Sequence, residues 1–208
     1  MDGRGISQAV INRLPRYYRY LGDLILEGEE RISSNALSDR MNVTASQIRQ
    51  DLNHFGGFGQ QGYGYNIKTL REEIGHILGV DRKQGFIVIG AGNLGQAIAN
   101  YVGFEQYGFE LKGVFDIDLS IEGDEIRGIP IQNLRELKNF LMEHDISIAA
   151  ITVPRRAVEE IVNILIAGRI KGIWNFTHNE LKVPDYITVE NVHLSDSLLR
   201  LSCNMIQT

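Results

Sequence analysis

The chain has 208 residues, 43% of them hydrophobic, with 22 Gly, 4 Pro and a formal net charge of −5; this composition suits a globular protein with a real core and argues against general affinity for nucleic acid. No apolar run approaches the roughly 18 residues that a membrane span needs, and the start, Met1-Asp-Gly-Arg-Gly, lacks the apolar stretch of a signal peptide. One cysteine, Cys203, cannot close an internal disulfide, so the expected setting is a reducing cytoplasm.

The charge is unevenly spread. Residues 1–80 hold nine Arg and Lys against nine Asp and Glu, so the negative balance lies entirely in residues 81–208. Arg4, Arg13, Arg16 and Arg19 occur with no acid between Gly3 and Gly22, which permits a positive face on a neutral domain.

In chain order, Ser7 is placed to cap a short helix through Leu14, and Pro15 to start a second that ends near Glu27 before Gly28. A short helix capped by Ser33 or Ser34 runs to Met41. Thr44 then caps a helix through His54 or Phe55, with Gln47 reaching back to complete a capping box. Two short helices about a tight turn predict a helix-turn-helix, whose second helix enters the DNA major groove. The stretch Phe55 to Tyr65, five glycines interleaved with aromatics, reads as two short strands about a Gly59–Gly62 tip, a wing. Lys68 to Leu78 is amphipathic and closes this domain, and residues 79–85 read as a linker.

From Phe86 the pattern alternates: strand 86–89, helix 94–104, strand 111–115, an irregular stretch 116–130, helix 134–144, strand 146–153, helix 155–167, strand 172–176, strand 188–192 and a final helix from about Ser195. Such alternation predicts an α/β domain with a parallel sheet covered on both faces. The expected domains are a winged helix (1–80), a Rossmann-type nucleotide domain (81–194) and a C-terminal helix (195–208).

Gly85 to Gly95 reads Gly-Phe-Ile-Val-Ile-Gly-Ala-Gly-Asn-Leu-Gly, a strand feeding a Gly-x-Gly-x-x-Gly turn. Gly90 suits the tight turn, Gly92 close approach of backbone to a pyrophosphate, and Gly95 close packing of helix on strand. Together with Ala91, Asn93 and Leu94, whose amides open the helix, they form the predicted phosphate cradle. Asp116 closes the next strand 21 residues after Gly95, where a carboxylate accepts from ribose hydroxyls and repels a 2′-phosphate; NAD(H) is therefore expected over NADP(H), with Asp118 as the alternative acid.

Only 113 residues follow Gly95, too few for a catalytic domain beyond the sheet. His54, His76, His144, His178 and His193 show no metal spacing and no acid–base motif. His178 and His193 alone lie near strand ends where a cofactor would sit. Catalysis and a metal are therefore not expected. In the first domain, Thr44, Ser46, Gln47, Arg49 and Gln50 cluster at the start of the recognition helix, and Gln61 and Gly62 at the wing, as the candidate DNA contacts. Arg49 suits a guanine or phosphate contact, and equally an internal salt bridge to Asp51 or Asp39.

The segments Arg13-Leu-Pro-x-Tyr-x-Arg19, Thr44-x-x-Gln-Ile-Arg-x-Asp-Leu52 and Phe55-Gly-x-Phe-Gly-x-x-Gly-x-Gly-Tyr65, followed by the dinucleotide motif, resemble the family of redox-sensing transcriptional repressors called Rex. The resemblance covers essentially the whole chain. It implies a homodimer that exchanges its C-terminal helix, binds operator double-stranded DNA and is released when NADH replaces NAD+, at genes of fermentation or respiration. It further implies that Tyr101 lies near the nicotinamide, that Thr152-Val153-Pro154 and Asn175-Phe176 border the cofactor, and that Arg19 links the two domains; at the place of its partner acid one alignment puts His193, while Asp196, three residues on, is the nearest carboxylate. Gln50 and Gln61 depart from the lysine and arginine that some relatives carry. A small NAD-dependent oxidoreductase, a CoA-binding protein, suggested by Asp116-Ile-Asp with Gly128-Ile-Pro130, and a winged helix that binds protein are the rival readings.

Overall fold

The computed structural model describes residues 6–53, 59–60 and 64–207, which divide into two units at Arg82 and Lys83. His54, Gln61 and Gly62 lie outside the described residues.

In the first unit, α1 (Gln8–Ile11) leads into α2 (Leu14–Leu26), with Pro15 in the first turn, where a missing N–H costs nothing. Leu14, Tyr17, Tyr18, Leu21 and Leu24 recur at helical spacing and form the buried stripe of α2. That stripe packs on α5 (Ile67–Leu78), which buries Ile67, Leu70 and Ile74. Between them lie α3 (Ser34–Met41) and α4 (Ala45–Leu52). Ser33 Oγ accepts from the Ala36 amide at 3.0 Å, and Thr44 Oγ1 from the Gln47 amide at 3.1 Å. Asn42 ends α3 in the left-handed region, φ 52°, which asparagine tolerates at little cost. The sheet of this unit is small, with β3 (Gly64–Asn66) between β1 (Arg31–Ile32) and β2 (Gly59–Gln60), all antiparallel. These elements are a helix-turn-helix followed by a wing.

Several local expectations need correcting. Ser7 makes no side-chain cap bond, and α1 ends at Ile11 instead of Leu14. Gln47 does not reach back to a capping box; its amide donates forward to Asp51. The strand β1 was not expected, because two residues are too few for alternation to show.

The second unit is a seven-stranded sheet in the order β10-β9-β8-β4-β5-β7-β6. Its strands are β4 (Gln84–Ile89), β5 (Phe109–Asp116), β6 (Glu125–Ile126), β7 (Ile129–Asn133), β8 (Ile148–Ile151), β9 (Gly172–Asn175) and β10 (Thr188–Asn191). All pairings are parallel except that of β6 with β7, so β4 to β10 without β6 follow the doubly wound dinucleotide order. The sheet is covered by α6 (Asn93–Asn100), α7 (Leu137–Glu143) and α8 (Val158–Ala167). Strand β4 is central and buried on both faces: Phe86 and Val88 join one core cluster, Ile87 and Ile89 the other.

Two expectations fail in this unit. The helix predicted over 94–104 stops at Asn100, Tyr101 is extended (φ −77°, ψ 103°), and a 3-10 turn, Val102–Tyr107, follows. The break lets Phe104 turn inward against Phe86 and Trp174, ring centroids 5.8 and 5.6 Å away. The stretch 116–130 is not irregular throughout, since β6 and β7 form a hairpin whose loop residues Arg127 and Gly128 both have positive φ. An Arg-Gly loop lacks the Asn-Gly or Asp-Gly signature of such turns.

The chain ends in α9 (Leu194–Ile206), which buries no residue; Leu194, Leu198, Leu199, Leu201, Met205 and Ile206 are 55–83% exposed.

Candidate nucleotide site and DNA-binding face

The carboxyl ends of β4 and β8 lie beside each other where the sheet reverses its strand order, the place in such folds where a crevice opens. The glycine turn sits there and is tied from both sides. The Gly90 amide donates to the Phe115 carbonyl at 2.8 Å, and the Ala91 amide to Asp116 Oδ2 at 2.5 Å. Thr152 Oγ1 lies 2.8 Å from the Gly90 carbonyl and 3.0 Å from that of Ile89, while Gln96 Nε2 donates to the Ala91 carbonyl at 2.8 Å.

The three motif glycines are required for different reasons. Gly90 has φ +100°, and a Cβ on it would lie 2.9 Å from Thr152 O and Oγ1. A Cβ on Gly95 would fall 1.8 Å from the Gly90 carbonyl oxygen. Gly92, by contrast, is exposed with an ordinary extended backbone, and a Cβ there would meet nothing within 4 Å. The fold itself needs the first and third glycines and is indifferent to the second. Space in front of Gly92, at the start of α6, whose first-turn amides have no partner within the helix and no side-chain cap, is what a pyrophosphate would use.

Asp116 Oδ1 accepts from the Asp118 amide at 2.9 Å. Each carboxylate oxygen therefore has one intramolecular donor and keeps a lone pair for a ribose hydroxyl. Asp118 is spent differently, since its Oδ1 accepts from both the amide and the hydroxyl of Ser120; the hydroxyl and amide of Ser120 hold its carboxyl below the usual range.

The remaining predicted residues are dispersed. Val153 is half-buried and Pro154 exposed at the end of β8. Asn175 is fully buried, with Nδ2 donating to Asn179 O and Asn191 Oδ1, and Oδ1 accepting from the amide and hydroxyl of Thr177. Its side chain is used up inside the fold, leaving half-buried Phe176, stacked edge-on to Trp174 at 4.6 Å, as the surface of that segment. Tyr101 is 55% exposed, against Phe104 at 4.7 Å, and lies at the C-terminal end of α6 while the cradle lies at its N-terminal end. Asp196 faces His193, Nδ1 to Oδ2 3.6 Å, and the His193 ring is 5.3 Å from that of His178.

On the recognition helix α4, Thr44, Ser46, Arg49 and Gln50 are exposed and Gln47 is half-buried. Arg49 Nη1 donates to Ser34 Oγ at 3.0 Å and not to either of the acids open to it: Asp51 is taken by another arginine, and Asp39 forms no ion pair with it among the described residues. Arg13 Nε and Nη2 donate to the two oxygens of Asp51, both at 2.7 Å, while Tyr17 Oη donates at 2.9 Å and Gln47 Nε2 at 2.8 Å. Asp51 is completely buried on the inner face of α4, beside Ile48 and Leu52. Burial pushes its carboxyl up, but the bonds from Arg13, Gln47 and Tyr17 outweigh it and the net shift is downward; burial and the bond to Asp51 push the Tyr17 phenol up. Stranding that carboxylate would cost on the order of 3 kcal/mol. This network was missed at the sequence level, because it joins residues 34 and 38 positions apart. On α2, Arg19 is exposed, with its guanidinium 5.8 Å from the Tyr20 ring.

Among the described residues, no group of three His, Cys, Asp or Glu could hold a metal ion, and no helix is long and apolar enough to cross a membrane.

Residues 5–53 match the family described as "Putative DNA-binding protein N-terminus", and residues 81–179 that described as "CoA binding domain". The crystal structure of RSP in complex with β-NAD+ and operator DNA superposes with a TM-score of 0.92 at 50% identity, over 97% of this chain and 93% of that one. RSP in complex with β-NADH gives 0.90 at 46% identity, over 98% and 95%. The redox-sensing transcriptional repressor Rex of Clostridium perfringens (strain SM101 / Type A) is 55% identical over 198 residues, 95% of this chain and 93% of the relative. With a winged helix, a dinucleotide-type sheet and half of all residues shared over nearly full length, the chain belongs to the Rex family of redox-sensing transcriptional repressors.

Proposed function

We propose that this protein is an NAD(H)-responsive repressor that binds operator DNA through α4 and the wing and leaves it when NADH binds at the glycine turn. The observation that carries the cofactor half is Gly92, a glycine that no neighbour and no backbone angle demands, at the mouth of a turn whose other two glycines are sterically fixed. The DNA half is supported by the exposed polar face of α4, and the coupling by relatives at about half identity solved with β-NAD+ plus operator and with β-NADH.

In this reading Gly90, Ala91, Gly92, Asn93, Leu94 and Gly95 cradle the pyrophosphate, Asp116 selects NAD(H), and Thr152, Val153, Pro154 and Phe176 shape the far side, with Asn175 holding the Phe176 segment from inside the fold. Thr44, Ser46, Gln47, Arg49, Gln50, Gln61 and Gly62 face DNA, and Arg19, Tyr101 and Asp196 report which cofactor form is present. The working form is a cytoplasmic homodimer without catalytic activity, built of domains 1–80 and 81–194 and an exchanged helix 195–208. A 13-residue helix that buries nothing is marginal in water, and covering its six large apolar side chains would contribute on the order of 10 kcal/mol before association costs.

A CoA-type ligand is the second reading, favoured by the family match over 81–179. It places no demand on Asp116, whereas NADH binding does. Mobility shifts on operator-like DNA with NAD+ and NADH added separately test the proposal: NADH is expected to release the complex and NAD+ to leave it intact. A complex that persists with NADH shown to be bound overturns it.

A further inference from the structure

A cleft of about 290 Å³ opens between α1 and α4, lined by Ser7, Val10, Arg13, Gln47, Gln50 and Asp51 among others. It borders the exposed face of the recognition helix, since Gln47 and Gln50 line it. Arg13 forms part of its wall and is not wholly consumed by Asp51. Nε and Nη2 take the two carboxylate oxygens, Nη1 has no partner among the described residues, and the side chain remains 31% exposed.

An arginine held along one edge of its guanidinium and open along another is a common way to present a directed cation. The bidentate pair removes the rotamer freedom that a surface arginine would lose on meeting an anion. The anion that recurs beside a recognition helix is a DNA phosphate. The structure explains the other arginines of α2 differently. Arg16 donates Nη2 to the Met41 carbonyl, and Arg19 lies beside the Tyr20 ring.

We infer that Arg13 is a DNA-phosphate contact at the α1–α4 cleft, and that Asp51 and Tyr17 are positioning residues that aim its guanidinium. This rests on the DNA-binding reading above. It also supplies backbone affinity that Gln50 does not, in a chain whose net charge is −5.

The test uses the full-length protein and two duplexes, one selected from a random pool by the wild-type chain and one unselected, with affinity measured across salt. Arg13→Gln alone strands the Asp51 charge, so the main variant is Arg13→Gln with Asp51→Asn, which removes both charges and keeps groups able to hydrogen-bond. It is expected to bind NADH like wild type, to weaken on both duplexes alike, and to lose about 1 from the salt slope per half-site, hence about 2 for a dimer on a palindrome. Arg13→Lys keeps the charge without the fork; it is expected to keep the slope and lose several-fold in affinity. A double variant with the wild-type slope, or a lysine variant with wild-type affinity, makes Arg13 an internal tie only and overturns the inference. A wild-type chain that binds neither duplex overturns the DNA-binding reading as well.

Discussion

The glycine turn of the second unit and the recognition helix of the first are made of different material. At the glycine turn the exposed part is the backbone around Gly92 and Asn93, and the side chains nearby, Thr152, Gln96 and Asp116, tie the turn together. On α4 the groups presented are side chains, and several are already engaged within the domain: Gln47 with Asp51, Arg49 with Ser34. A backbone site is rigid and indifferent to sequence beyond its glycines and one acid. A side-chain site can be retuned residue by residue.

The contrast can be broken most severely at Gly95. Gly95→Ala would drive a Cβ into the Gly90 carbonyl, so a loss of about 3 kcal/mol or more in stability is expected, read as a fall in Tm, together with loss of NADH binding. Gly92→Ala sharpens the same point from the other side. It should leave Tm unchanged or slightly raised, because its backbone suits alanine, yet weaken NADH at least tenfold by calorimetry. Equal stability losses in the two variants would mean that Gly92 is structural and would remove the main support for the pyrophosphate site.

Asp116→Ala comes next. It removes the acceptor of the Ala91 amide and the ribose partner together, and a drop of roughly 10- to 100-fold in NADH affinity is expected. CoA binding with NADH affinity intact would favour the second reading. Charge placed on the last helix, Leu198→Glu with Leu201→Glu, should convert a dimer to monomers by light scattering while NADH binding survives; an unchanged mass would show that α9 is not the interface.

The smallest effect lies in the first unit and depends on pH. The folded Asp51 carboxyl is held below its unfolded value near 4, so its contribution is full at neutral pH and is lost as pH falls below that value. The Tyr17 phenol is raised above its unfolded value near 10, so its contribution is present below pH 10 and is lost above it. Chemical denaturation across pH should show both limbs, and Asp51→Asn should flatten the acid one.

How much could be read from the residues follows the same division. The β4–turn–α6 unit and Asp116 were legible because glycines, strand periodicity and a spaced acid are local signals. The helix-turn-helix was legible through the Ser33 and Thr44 caps. The Arg13–Asp51 pair spans 38 residues and depends on how α2 meets α4, which no local pattern encodes. The break at Tyr101 was hidden for a related reason, since residues 94–104 are helix-compatible and only the pull of Phe104 into the core interrupts them. The exposure of α9 was the reverse case: its apolar stripe was plain, but nothing among the described residues covers it.

The most direct test of the central claim is reciprocity. Calorimetric titration of NADH into the full-length protein, free and saturated with operator DNA, should give a weaker Kd in the second case, by the same factor by which NADH weakens operator binding. An NADH affinity unchanged by bound operator would show that the two sites are not coupled and would contradict the account.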